Sequence, residues 1–261
     1  MTAEQDAAPA VRLEVDDRIA TITINRPAVR NAIDKATTDL IAAALDEADA
    51  RPDVTVIILT GAGGIFSAGM DLKAFAASRE RPWSPDRGGF GIVERPAEKP
   101  MIAAVEGKAL GGGLEIALAC DLIVAGESSM LGLPEVKRGL VASAGGVLRL
   151  PQRIPSAVAL ELVLTGEPIT ARRALELGLA NRVAADGAVL EEARDLATTI
   201  AANAPMAVRA AKRIVHESAD WSAEEAFARQ ARYTDPVRAS ADAAEGARAF
   251  ADKRTPNWIG A

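Results

Sequence analysis

The spacing of apolar positions shifts along this chain, and each shift predicts a different element. Val11 to Val15 and Ile19 to Ile24 alternate apolar with polar around Asp16-Asp17. That period of two predicts a β-hairpin with one buried face. Asn25-Arg26-Pro27 ends it. From Lys35 to Ala50 the period lengthens, and Leu40, Ile41, Ala44, Leu45 and Ala48 fall on one helical face behind Asp34 as N-cap. Val54 to Leu59 is an apolar, mostly β-branched run, which predicts a strand covered on both faces. Met101 to Val105 and Leu122 to Ala125 read the same way, with a helix from Leu114 to Ala119 between them. Strand, helix and strand in alternation imply parallel pairing with right-handed crossovers.

Two stretches carry neither period. Residues 1–10, rich in Ala and polar or acidic residues, are expected to be disordered, and 77–91, with Arg, Ser, Pro and Gly, are expected to form a mobile loop. Beyond Ala144 the pattern is almost wholly helical: Pro155 to Leu164, Thr170 to Leu177, Asp186 to Asn203, Pro205 to Glu217, Ala223 to Tyr233 and Pro236 to Lys253. The expected layout is α/β: a core over 11–200 and a helical C-terminal region over 201–261.

Composition narrows the chemistry. Aromatic residues make up only 3% of the 261 positions, so the interior must close with Ala, Leu, Ile and Val. A net charge of −6, with no basic run among aromatics, gives nucleic-acid binding no support. One cysteine, Cys120, excludes an internal disulfide framework and fits a reducing compartment. The first residues lack a basic stretch followed by an apolar one, and no apolar run nears the ~20 residues of a membrane span. A cytoplasmic protein with no membrane partner is expected. One His and one Cys cannot build the usual His/Cys zinc site, so no metal is expected. A Ser-His-Asp hydrolase would need His216, and the chain has no Gly-x-Ser-x-Gly turn.

Three segments stand out. Gly111-Gly112-Gly113 precedes the apolar helix that carries Glu115. Glycines there let a ligand approach the backbone, and the first N–H groups of the helix point outward with the positive end of its dipole behind them. A developing oxyanion fits such a place; tight helix–strand packing beside a solvated Glu115 is the plainer alternative. Phe66-Ser67-Ala68-Gly69-Met70-Asp71 follows a predicted strand, at a carboxyl end of the sheet, where open α/β sheets bind ligands. Glu135 follows Pro134, and alone it would read as a solvated acid. Asp71 and Asp121 are expected to cap or pair with backbone, and Cys120 to fill the core. Thr60-Gly-Ala-Gly-Gly64 fails the dinucleotide spacing, because Phe66 stands where the third glycine belongs.

Taken in order, Phe66 to Leu72, Pro100 to Glu115, Ala119-Cys120-Asp121 and Leu133-Pro134-Glu135 resemble the enoyl-CoA hydratase (crotonase) superfamily. The resemblance runs from Asn25 to Arg254. It implies a crotonase-like α/β fold of repeated ββα units with a smaller sheet and a helical trimerisation region, in a homotrimer or dimer of trimers. It implies an acyl-CoA thioester substrate and no cofactor, the CoA being part of the substrate. The thioester carbonyl would sit between the backbone N–H groups of Met70 and Gly112. Glu115 and Glu135 match the catalytic pair of hydratases. Ala28, Arg30, Ala32, Ala68, Asp71, Leu72 and Lys73 match the segment that contacts the acyl-CoA, and Phe250 and Lys253 would reach the CoA of a neighbouring subunit.

The reaction so implied is reversible addition of water to a trans-2-enoyl-CoA, giving a 3-hydroxyacyl-CoA. Two departures bear on the substrate. Ala142-Ser143 stand where many hydratases have Pro-Gly or Pro-Asp, and Gly88 to Phe90, Gly145 to Pro151 and Lys253 to Trp258 are similar to carnitinyl-CoA dehydratase relatives. A polar acyl-CoA, double-bond isomerisation and a non-catalytic CoA-binding role are the alternatives. Two intact glutamates speak against the last two.

Overall fold

The computed structural model describes residues 8–260. Most of the segment expected to be disordered therefore lies outside the described residues. Asn25 ties the first described ones down, its backbone N–H donating to Ala10 O and its side chain to Pro9 O.

In chain order the elements are β1 (Val11–Asp16), β2 (Ile19–Ile24), α1 (Lys35–Ala50), β3 (Val56–Gly61), α2 (Leu72–Ser78), β4 (Trp83–Ser84), β5 (Gly88–Gly89), β6 (Met101–Val105), β7 (Lys108–Leu110) and α3 (Gly112–Ala119). There follow β8 (Leu122–Gly126), β9 (Met130–Gly132), α4 (Gly146–Arg153), α5 (Ser156–Thr165), β10 (Ile169–Thr170), α6 (Ala171–Glu176), β11 (Arg182–Ala184), α7 (Val189–Ala201), α8 (Pro205–Glu217), α9 (Ala226–Arg238) and α10 (Ala241–Ala251).

Six strands pair in the order β1-β2-β3-β6-β8-β11. The β1–β2 hairpin is antiparallel, and every other pair in this sheet is parallel. A second sheet runs β10-β9-β7. On one face of the large sheet, Ala193 and Ala197 of α7 pack on Val56, Ile58, Ile102 and Val124. The other face meets α1 and α3 through Ile41, Leu45, Leu114 and Leu118, which close on Ile57, Leu59 and Ala103. Strands covered on both faces favour apolar residues at successive positions, which is why 56–59 of β3 and the whole of β6 read as apolar runs. The hairpin differs from expectation here. β2 is buried along its whole length, because it is an inner strand rather than a half-solvated one.

Helix α1 spans the residues its period predicts, and Asp34 caps it by accepting from Thr37 N at 2.8 Å. Leu40 is the exception on its apolar face, 43% exposed. The segment 77–91 is not the open loop expected. It holds the end of α2 and the β4–β5 ribbon, tied to α1 by Arg87. That side chain is fully buried and ion-pairs with Asp46 at 2.8 Å and Asp49 at 3.1 Å. Pro236 likewise does not begin a helix but lies inside α9.

The topology sets three segments side by side. The chain leaves the carboxyl end of β3 toward Met70, of β6 toward Gly112, and of β8 toward Glu135, and these three strands are neighbours.

Candidate active site

The Phe66–Asp71 segment is built from its polar side chains. Asn31, buried, donates to Ala62 O at 2.9 Å and Ile65 O at 2.6 Å. Ser67, also buried, donates to Asn31 O at 2.8 Å and accepts from Gly69 N at 3.1 Å. Short bridges pair Ile33 with Met70 and Ser67 with Ala109. The loop is thus held on both sides, and it comes hard against the start of α3. A Cβ placed on Gly69 would stand 2.7 Å from Gly112 N. Among the described residues, neither the Met70 N–H nor the Gly112 N–H donates to a turn, loop or cap acceptor. Both residues line a cleft of about 460 Å³.

The glycines at the start of α3 answer to side chains as well as to any ligand. Gly112 has no room for a Cβ, which would fall 2.2 Å from Phe90 Cζ. At Gly111, with φ of 56°, a Cβ would lie 2.9 Å from Glu135 Oε1. The triple glycine therefore brings Phe90 and Glu135 onto the helix start.

All residues of α3 are buried, so Glu115, at 3% exposure, projects from an apolar helix. The backbone N–H groups of Ala144 and Gly146 donate to its Oε1 at 2.7 and 2.9 Å. Burial pushes its pKa up to about 7, against the pull of the Gly146 N–H bond, and the charge of Glu135 adds to the rise. Glu135 sits in the 3₁₀ turn Pro134–Arg138, and burial raises its carboxyl too. Its Oε2 is buried and has no hydrogen-bond partner among the described residues. A buried carboxylate oxygen without a donor is costly, which marks it as a place for a water or a substrate hydroxyl. The two glutamates line the same cleft as Met70 and Gly112.

Of the other expected site residues, Arg30, Ala68 and Leu72 also line this cleft. Ala28, Ala32, Asp71 and Lys73 lie outside its lining. Asp71 accepts from Ala74 N at 3.1 Å and pairs with Arg26 at 3.3 Å, in keeping with its expected capping role. Asp121 accepts from Met101 N at 2.7 Å and pairs with Lys212 and His216, while Cys120 is buried. Phe250 and Lys253 lie on and just beyond α10 and do not line the cleft of their own chain.

Three features escaped the sequence reading. Phe90 covers Gly112, yet it sits in a stretch without period. The Ala144 and Gly146 N–H groups hold Glu115, and Gly145-Gly146 before an apolar run was the signal available for them. Arg149 lies behind Glu115 on α4, its guanidinium against Gly145 and donating to Val93 O. Among the described residues no His/Cys/Asp/Glu group of three or more could hold a metal, and no helix is long and apolar enough to cross a membrane.

Two carboxyls with raised pKa beside a pair of unengaged N–H donors can move protons next to a carbonyl whose oxygen gains charge. Comparison with known proteins agrees with that chemistry. The sequence pattern of the enoyl-CoA hydratase/isomerase family matches residues 14–261. The chain is 41% identical to enoyl-CoA hydratase EchA19 of Mycobacterium tuberculosis, over 97% of each chain. It is 42% identical to the carnitinyl-CoA dehydratase of Salmonella arizonae, over 96% of this chain and 98% of that one. The crystal structure of enoyl-CoA hydratase EchA1 from Mycobacterium marinum superposes with a TM-score of 0.95 at 54% identity, covering 97% of this chain and all of the other. With its fold and nearly its whole length matched, the chain belongs to the enoyl-CoA hydratase/isomerase (crotonase) family.

Proposed function

We propose that the protein is a hydro-lyase that adds water reversibly to a trans-2-enoyl-CoA, giving a 3-hydroxyacyl-CoA. The observation that carries this reading is the pairing of Glu115 and Glu135 in one cleft with the Met70 and Gly112 N–H donors. A thioester stabilises a carbanion poorly in water. Two fixed donors at its oxygen stabilise the enolate-like transition state, and one such donor is worth roughly 10²–10³ in rate. The carboxyls hold a water between them. One takes its proton as the oxygen bonds to C3, and the water or the other carboxyl supplies the proton at C2. A carboxyl with a pKa of about 7 exchanges its proton readily near neutral pH, which supports Glu115 in this work. The chemistry calls for no cofactor beyond the CoA that the substrate carries, and it suits a cytoplasmic setting.

Arg30, Ala68 and Leu72, which line the cleft, are the side for the CoA, together with Ala28, Ala32, Asp71 and Lys73 of the same segment. Residues 11–200 would be the catalytic core and 201–261 the region that joins subunits into a homotrimer or dimer of trimers. Phe227 and Phe250, 81% and 89% exposed, support that assembly, because large apolar side chains standing free on helices call for a partner surface. Phe250 and Lys253 would then meet the CoA bound by a neighbour.

A second reading, dehydration of an acyl-CoA ending in a quaternary ammonium, has one observation of its own. Trp83 lines the cleft, and the Arg81 guanidinium already lies 5.6 Å from its ring centroid, so this aromatic face accepts a cation. The test is loss of the conjugated enoyl-thioester absorbance with crotonyl-CoA, beside longer, branched and trimethylammonium-bearing enoyl-CoAs. Rapid loss with a 3-hydroxyacyl-CoA product identified by mass is expected. Turnover confined to the ammonium substrate selects the second reading. Binding without turnover of any member overturns both.

A further inference from the structure

A second and larger cleft, of about 760 Å³ in the single chain, lies between α3, α4 and helices α8 and α9 of the region proposed to join subunits. Its lining carries seven Arg or Lys against two Glu, in a chain whose net charge is −6. Some of these charges are spoken for. Arg95 pairs with Asp46, Arg213 with Glu217, and Lys212 with Asp121. Arg149, Arg153, Arg209 and Arg232 have no carboxylate within ion-pair distance among the described residues. Cations gathered against the sign of the whole chain attract an anion.

The rest of the lining says what kind of anion. Pro96, Leu118, Ala119, Met206 and Val237 make an apolar floor. The one aromatic ring, Tyr233, is already stacked on Trp221 and covered by the Arg213 guanidinium, so no aromatic face is offered to a nucleobase. Arg149 donates to Val93 O, and Arg153 to Leu118 O and Cys120 O, so Arg209 and Arg232 are the guanidiniums with neither use among the described residues. An apolar floor beneath them suits a molecule with a hydrocarbon body and a carboxylate head, since guanidinium binds carboxylate in a two-pronged way. The volume falls in the range of small-molecule sites. The cleft also lies close to the catalytic one. Glu115 lines one and Leu118 and Ala119 the other, a single turn apart on α3. Arg149, bonded to Val93 O, lines the second cleft.

We propose that this second cleft binds an amphipathic carboxylate, a hydrocarbon chain with an anionic end, held by Arg209 and Arg232 over the Leu118–Val237 floor. Such a ligand has two sources: a free fatty acid, or the far end of an acyl chain that carries a terminal carboxylate and extends from the thioester to the second cleft. The first source stands independently of the hydration reading, and the second rests on it.

The test is calorimetric titration of the native assembly with laurate and with dodecanol. Saturable laurate binding is expected, with dodecanol weaker by roughly tenfold or more, as loss of charge-assisted bonds implies. The Arg209→Ala/Arg232→Ala variant, both positions exposed, should lose that preference, and Arg209→Lys/Arg232→Lys should keep most of it. Circular dichroism checks that both variants fold. Turnover of 2-enoyl-CoAs with a terminal carboxylate or a terminal methyl separates the sources. A carboxylate preference that the alanine variant loses identifies the acyl end; laurate binding without it identifies a free fatty acid. Absence of saturable laurate binding, or equal binding of laurate and dodecanol, overturns the proposal, even in a preparation that hydrates crotonyl-CoA.

Discussion

At the scale of single residues, Glu115 is where folding and catalysis pull against each other. Burial favours its neutral form, so the folded chain holds this proton up to about pH 7 while the unfolded chain releases it near 4.5. Stability from this group is therefore full below pH 4.5 and lost as pH rises through about 7. The loss corresponds to about 3 kcal/mol. Glu115→Gln keeps an oxygen for the Ala144 and Gly146 N–H groups and removes the charge. This variant should be more stable than wild type at pH 8 and similar at pH 4, as urea unfolding at the two values would measure. The wild-type profile of kcat/KM should show a limb near pH 7; a flat profile from pH 5 to 9 would separate Glu115 from proton transfer. Glu135→Gln should lower kcat by about 10²–10⁴ with acyl-CoA affinity little changed, because proton transfer is lost and shape is kept. Near-normal turnover would sink the two-carboxyl mechanism. The two glutamates were visible in the sequence through the motifs around them. The Ala and Leu around them made a raised carboxyl pKa plausible, but the segments that bury them, twenty or more residues away, were not legible.

At the scale of elements, what the sequence reveals depends on whether order comes from a repeating face or from a distant partner. Helix α1 shows a 3.6 period and its own cap, so its limits are legible. Strands β7, β9, β10 and β11 have two or three residues each, too few to show a period, and only pairing defines them. The 77–91 segment lacks a period because its order comes from one buried guanidinium, tied to two aspartates of α1 about forty positions earlier. Arg87 holds the ribbon that carries Phe90 onto Gly112. Arg87→Leu leaves the half-buried Asp49 without its cation, while the more exposed Asp46 keeps Arg95, and should destabilise the protein by roughly 1–3 kcal/mol. Amides of 83–93 should exchange faster with solvent, and KM should rise as Phe90 leaves the cleft wall. Unchanged exchange in that segment would mean that the ribbon stands without its clamp.

At the scale of the whole molecule, the C-terminal helices are the part least explained by one chain. Only Asp242 and Ala249 are buried within α8, α9 and α10, although these helices span most of residues 205–251. Helices that bury so little owe their stability to something besides propensity, and a partner surface is the usual source. Phe227 on α9 and Phe250 on α10 are the largest side chains left open. If three chains close around them, the species in solution should have three or six times the 27.1 kDa of the chain, measured by sedimentation equilibrium. Phe227→Glu/Phe250→Glu places two charges in the proposed contact and should shift that mass toward the single chain. Because Phe250 and Lys253 are proposed to reach a neighbour's CoA, the same variant should raise KM more than it lowers kcat. A wild-type protein that sediments as a single chain, with KM for crotonyl-CoA independent of dilution, would detach the C-terminal helices from assembly. The catalytic cleft would then have to be complete within one subunit.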